Sequence, residues 1–250
     1  MSTTMQTAVG RFVWHDHNSG DPDRARAFYG ELLGWEIEVW KPGEFDYPMI
    51  NANGQQHGGF GTAQGGAPPH WLGHVVVDDA DRAGERARGA GGAVLAGPME
   101  IPEVGRMLVV RDPQGAVLSA FQPAGDAPVS EGVFVWDELI TSDVEGATRF
   151  YRELLGWDSR EAEMGESGPY TLFRIGETDL AGCISNETTQ APPHWYPYLA
   201  TPDVDASTSK AKELGATAYL EPTEIENVGR FAVLGDPTGA TFGLFQVPAS

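Results

Sequence analysis

FYGELLGW (residues 28–35) returns as FYRELLGW (residues 150–157), an offset of 150 − 28 = 122. A second block, APPHW at 67–71, returns at 191–195, an offset of 191 − 67 = 124. A third, VGRMLVVRDPQGAVLSAFQ at 104–122, returns as VGRFAVLGDPTGATFGLFQ at 228–246, again at 228 − 104 = 124. Three blocks in one order are the signature of an internal duplication. The reading is a first half at 1–123, a linker at 124–132 and a second half at 133–250, the Pro- and Gly-rich PAGDAPVSEG lying at the junction.

Working outward from FYGELLGW, Asp21 caps a helix, Pro22 sits in its first turn, Phe28, Leu32 and Leu33 line one face, and Gly34 ends it. RFVWHDH before it reads as a strand, and EIEVW, YPMIN and HGGFG after it as short strands between turns. A second round runs from WLGHVVV through a helix over ADRAGERARGAG to strands near AVLAGP, RMLVVR and AVLSAF. DPQG and DPTG are turns, with Pro fixing φ and Gly making the final bend. The expected class is α+β: four βαβββ modules forming two tandem, curved mixed-sheet, barrel-like halves.

Composition narrows the function. With 16 Lys and Arg against 36 Asp and Glu, the net charge of −20 opposes phosphate backbones and anionic membranes, and reads as a solubility surface. Cys183 is the only cysteine, so no disulfide or CxxC zinc site is available, and it is expected to act as a small buried hydrophobe. MSTTMQTAVG lacks the pattern of a signal peptide and no run of apolar residues reaches spanning length, so a cytoplasmic location is expected. GxGxxG, P-loop, GxSxG and HExxH motifs are all missing.

The FYxxLLGW helix end, the VDDxD entry to the next helix and the DPxG turn before the last strand resemble the vicinal oxygen chelate superfamily, which includes glyoxalase I, bleomycin-resistance proteins and extradiol dioxygenases. More narrowly, the chain is similar to the tandem actinobacterial subgroup often labelled glyoxalase or hydroxylase. The resemblance covers nearly the whole chain and implies the glyoxalase-like fold. It also implies a divalent ion held by His or Glu at four strand positions. Those positions fall on Trp14 and Trp136, on Leu72 and Tyr196, and on Ser119 and Gly243, with the fourth near HGGFG and LAGCI, where there is no carboxylate. Such a set cannot supply three or four N or O ligands. No metal site and no cofactor are therefore expected, with a divalent metal on relocated ligands left open.

Strand alternation places Asp16 beside Trp14 and Glu138 beside Trp136 on the inward face. An inward carboxylate kept in both copies is a candidate general base or ligand anchor, the alternative being a cap or a contact with the linker. His74 is the third catalytic candidate. The candidate ligand-binding residues are Trp14, Trp136, His70, His194, Leu72, Tyr196, Tyr198, Ser119 and Phe121. For His70 and His194, packing within PPHW with the imidazole on backbone is the competing role. His15 and His17 should point to the opposite face as a solvated pair, and Arg106 and Arg230 should pair with carboxylates.

Three readings follow. One is a binding protein for a small aromatic or planar organic molecule in a metal-free cavity. Another is a lyase- or hydroxylase-type enzyme using the Asp, Glu and His candidates. The last is a metal enzyme with ligands moved to histidines, disfavoured because strand rise separates His70 and His74 by about 13 Å. A monomer with an internal pseudo-dimer is expected, with a small molecule rather than nucleic acid or membrane as partner.

Overall fold

The computed structural model describes residues 8–41, 46–125, 132–163, 169–187, 189–226 and 228–246. Of the expected linker at 124–132, residues 126–131 lie outside the described residues, as do the first seven residues of the chain. The first module is β1 (Phe12–Ser19), α1 (Pro22–Leu33), β2 (Glu36–Trp40), β3 (Tyr47–Ala52) and β4 (Gln55–Thr62). The second is β5 (His70–Val76), α2 (Ala80–Gly89), β6 (Ala93–Ile101), β7 (Gly105–Arg111) and β8 (Val117–Pro123). The copy repeats this as β9 (Phe134–Thr141), α3 (Val144–Leu155), β10 (Asp158–Glu163), β11 (Pro169–Ile175) and β12 (Thr178–Ser185). It then continues as β13 (His194–Ala200), α4 (Val204–Glu213), β14 (Thr217–Ile225), β15 (Gly229–Gly235) and β16 (Thr241–Gln246).

Each of these four helices begins on an aspartate whose carboxylate accepts a backbone N–H from the first turn: Asp21 from Arg24, Asp79 from Arg82, Asp143 from Gly146 and Asp203 from Ala206. α1 and α3 end on Gly34 and Gly156 at φ of 72° and 73°, left-handed conformations that only glycine adopts cheaply. The strands form two eight-stranded mixed sheets, ordered β2-β3-β4-β1-β5-β8-β7-β6 and β10-β11-β12-β9-β13-β16-β15-β14. The expected barrel-like halves are thus open sheets with edge strands rather than closed barrels, since hairpin strands β2 and β6 end the first order and β10 and β14 the second.

Two compact units cut across the repeat. One holds Met1–Trp14, Gly73–Val129 and Trp136–Trp195; the other holds His15–Leu72, Ser130–Val135 and Tyr196–Ser250. Each unit therefore combines one module from either copy. In the first, α2 and α3 bury Ala83, Ala87, Phe150, Tyr151 and Leu154 against Leu108, Leu118, Leu139, Phe173 and Trp195. In the second, α1 and α4 bury Phe28, Tyr29 and Ala211 against Ile50, Phe60, Trp71, Leu199, Leu234 and Phe242. At about 1.5–3 kcal/mol per large apolar side chain, this burial is the main force holding each pair of modules together.

Candidate functional site

In the second unit Asp16 on β1 lies in register with Gly59 on β4, and Gly59 in turn opposes Met49 on β3. Tyr47, two residues from Met49, is the diagonal neighbour of Gly59 and lays its ring across it, where a Cβ would collide with the phenol. The hydroxyl, carried over the glycine in this way, donates a hydrogen bond to the Asp16 carboxylate.

The first unit repeats the device. Glu138 on β9 is in register with Gly182 on β12, which opposes Leu172 on β11. Tyr170 crosses Gly182 and donates to Glu138 Oε2 at 2.7 Å, while Trp136 Nε1 donates to the Tyr170 hydroxyl at 2.9 Å. Glu138 is 5% exposed. A carboxylate at that depth requires a hydrogen-bond donor, and the tyrosine supplies it. Asp16 and Glu138 each accept a hydrogen bond from a tyrosine. Tyr47 and Tyr170 were not among the sequence candidates. Their signal was present in register: they recur at 170 − 47 = 123, opposite glycines that recur at 182 − 59 = 123.

The remaining candidates divide by environment. His74 on β5 is in register with Ser119 on β8; both are buried, and the Ser119 hydroxyl has no hydrogen-bond partner among the described residues. In the copy Tyr198 is in register with Gly243 and its ring fills the space over that glycine. The Tyr198 hydroxyl lies 3.2 Å from that of Tyr196. Trp14 and Phe121 pack on the small cluster of Ala8, Val13 and Val76, and Leu72 is buried. His70 and His194 place Nδ1 at 2.8 and 2.7 Å from the carbonyls of Pro68 and Pro192. Burial pushes the His194 imidazole below its ordinary range, against the opposing pull of that carbonyl.

His15 and His17 correct the expectation of a solvated pair: they are 2% and 0% exposed. His15 stacks on Phe134 at 4.1 Å, and His17 is boxed by Tyr29, Phe60 and Trp71. The outer face of β1 is covered in the second unit, and there Asp236 Oδ2 lies 2.7 Å from His17 Nε2. The same carboxylate oxygen accepts from the Tyr29 hydroxyl at 3.0 Å, which accepts from Trp71 Nε1 at 3.1 Å.

The other copy keeps the network without the histidine. Asp112 accepts from Tyr151, which accepts from Trp195, and Leu139 stands in the place of His17. The two carboxyls diverge accordingly. Burial pushes Asp112 above its ordinary range, and its donors offset only part of that. Burial also pushes Asp236 upward, but the His17 hydrogen bond and charge outweigh it and hold the carboxyl below the usual range. Tyr29 and Tyr151 are held well above theirs, by burial first and then by the adjacent aspartate.

Arg106 and Arg230 grip Asp81 and Asp205 through two nitrogens each, as surface pairs. Three of the four strand positions that would hold a divalent ion offer the indoles of Trp14 and Trp136, Leu72 and Tyr196, and Ser119 and Gly243. No group of three or more His, Cys, Asp or Glu among the described residues is placed to hold one. An indole N–H only donates and a leucine offers nothing, so these residues do not fit a cation in that arrangement. No described helix is long and apolar enough to cross a membrane.

Residues 11–119 match the Glyoxalase/Bleomycin resistance protein/Dioxygenase superfamily, and residues 134–245 match the Glyoxalase-like domain. CFP32 of Mycobacterium tuberculosis (strain CDC 1551 / Oshkosh) is 32% identical over 243 residues, covering 93% of either chain. The anthracycline biosynthesis protein DauV of Streptomyces sp. (strain C5) is 33% identical over 266 residues, covering 96% of this chain and 94% of DauV. The solved 2,2',3-trihydroxybiphenyl 1,2-dioxygenase of Sphingomonas wittichii strain RW1 shares the fold at 14% identity and a TM-score of 0.67, over 97% of this chain and 93% of that one. With both copies matched and relatives aligned over more than nine-tenths of their length, the chain belongs to the glyoxalase/bleomycin resistance/dioxygenase superfamily as a tandem member.

Proposed function

We propose that this protein binds a small planar organic molecule bearing hydroxyl or carbonyl groups, without a divalent ion at the superfamily's usual strand positions. The supporting observation is the repeated dyad, Tyr47 with Asp16 and Tyr170 with Glu138, each built by laying a tyrosine over a glycine. A carboxylate oriented by a phenol is a fixed acceptor for ligand hydroxyls, and Trp14 and Trp136 on the same strands offer flat apolar surface for rings. The identity of DauV as an anthracycline biosynthesis protein points the same way, toward a hydroxylated polycyclic ligand. The tandem copies would serve as both partners of an internal pseudo-dimer, with the monomer as the working form.

A second reading gives the same dyads chemical work. A tyrosine 2.7 Å from a carboxylate is also the geometry of a proton relay, with Glu138 as base, in a lyase- or hydroxylase-type reaction. The test for binding is titration with a dihydroxyanthraquinone, followed by tryptophan fluorescence and calorimetry, on the wild type and on Tyr47→Phe with Tyr170→Phe and Asp16→Asn with Glu138→Gln. A hydrogen bond to a charged group is worth about 1.5–3 kcal/mol, so each double variant should bind at least about tenfold more weakly. Unchanged affinity in both would overturn the assignment, and product formation on incubation would favour the relay.

A further inference from the structure

The first compact unit carries a cleft of about 510 Å³ that the dyads do not use. It lies between the end of α2, the DPQG turn and the face of α3 from its cap to its last turn, and is lined by Gln114, Asp143, Gly146, Arg149, Arg152 and Glu153. Phe150, 1% exposed, also lines it, and α2 is tied to α3 by Arg86 Nε, which donates to the Leu154 carbonyl at 3.1 Å.

The second compact unit provides an internal comparison. Its residues at the matching positions are Thr238, Asp21, Arg24, Ala27, Gly30 and Glu31. One unit thus has two guanidiniums where the other has Ala27 and Gly30, and a bare glycine where the other has Arg24. These differences converge on one cleft in a chain whose net charge is −20.

Two local costs sit there as well. Gly146 occupies a helical position that would favour almost any other residue, and the side chains of Asp143 and Gln114 lean into the space a Cβ would need. The Gln114 Oε1 atom is buried with no hydrogen-bond partner among the described residues, whereas its counterpart Thr238 donates to Asp236 at 2.7 Å. Local rules broken without a gain to the fold are characteristic of binding sites.

We propose that this cleft binds a small zwitterion of the α-amino-acid class. Arg149 and Arg152 take its carboxylate, and Gln114 Oε1 takes its ammonium group with Asp143 and Glu153 nearby. The guanidiniums are available to do so. Arg149 pairs with Glu145, and Arg152 lies 3.8 Å from Asp158, with the arginine side chains 62% and 55% exposed. Exposed pairs of that kind are worth at most about 1 kcal/mol and exchange readily for a ligand carboxylate.

The test is an NMR titration of the full chain with L-leucine, L-glutamine and L-glutamate, following the Gly115 and Gly146 amides. N-acetyl-leucine, leucinamide, acetate and inorganic phosphate are titrated in parallel. At least one free amino acid should bind saturably, and at least tenfold more tightly than its acetylated or amidated form. Gly146→Arg, which installs the residue of the other copy, and Arg149→Ala with Arg152→Ala should each weaken it at least tenfold. Binding of the dihydroxyanthraquinone should not change, which separates this site from the dyads. Absence of any saturable shift, equal binding of acetate or phosphate, or binding indifferent to both variants would each overturn the assignment.

Discussion

Replacing His17 with leucine, the residue the other copy carries as Leu139, removes the imidazole facing Asp236 while keeping a side chain that this architecture already accepts. His17 and Asp236 side chains are both 0% exposed, and breaking one partner of a buried pair costs about 3–5 kcal/mol because the other charge is stranded. The lower figure applies here, since Asp236 keeps donors from Tyr29, Thr238, Gly239 and Ala240. A loss of about 3 kcal/mol corresponds to roughly 6–12 °C in melting temperature for a chain of this size.

The pH dependence distinguishes this cause from simple repacking. The Asp236 carboxyl is held below its ordinary value in the wild type, so its contribution is complete above the usual carboxylate range and is lost as pH falls through the lowered value. In His17→Leu the carboxyl should move above its ordinary value, as at Asp112. Its ionised form is then penalised near neutrality, and that penalty fades on acidification. Scanning calorimetry at pH 7 and pH 4.5 should therefore show a large gap between wild type and variant at pH 7 and a smaller one at pH 4.5. An equal gap at both values, or none at pH 7, would refute the electrostatic account of this pair.

Other outcomes follow from the same contacts. Gly182→Ala should force Tyr170 off Glu138 and away from Trp136, costing about 1–3 kcal/mol in urea unfolding and altering the near-ultraviolet circular dichroism; an unchanged spectrum would contradict the crossing. Asp143→Ala should cost about 1 kcal/mol through loss of the α3 cap, with Asp21→Ala alike, measured by the same unfolding curves. The Cys183 thiol, buried and pushed well above its ordinary value by burial and by Glu138 and Asp112, should react with an aromatic disulfide reagent at pH 8 only when denaturant is added. Immediate reaction in buffer would show that β12 opens.

The fold was legible because each of its determinants is local. Asp21, Pro22 and Gly34 mark a helix by capping and backbone freedom alone, and repeated blocks transfer that reading to the copy. The open sheets were less so, since closure depends on how the edge strands β2, β6, β10 and β14 are left, and no short motif encodes that. Within the site, alternation placed Trp14 and Asp16 on one face, but alternation states only which residues share a face, not what covers the other. The cover over His17 is not encoded locally: its partner Asp236 lies 219 residues away and reaches it through the pairing of modules from different copies. The roles of Tyr47 and Tyr170 are not legible in the sequence because a diagonal contact over glycine requires strand register, which follows only once the sheet order is known.

The most direct test of the central claim is to strip the protein of metal and verify the removal by elemental analysis. A dihydroxyanthraquinone is then titrated calorimetrically, with and without added Mn²⁺ or Fe²⁺. Binding of the same strength in the metal-free protein, weakened when Tyr170 and Tyr47 are replaced by phenylalanine, is the predicted result. Binding that appears only once the metal is restored would contradict it, placing the ligand on an ion rather than on the tyrosine–carboxylate dyads.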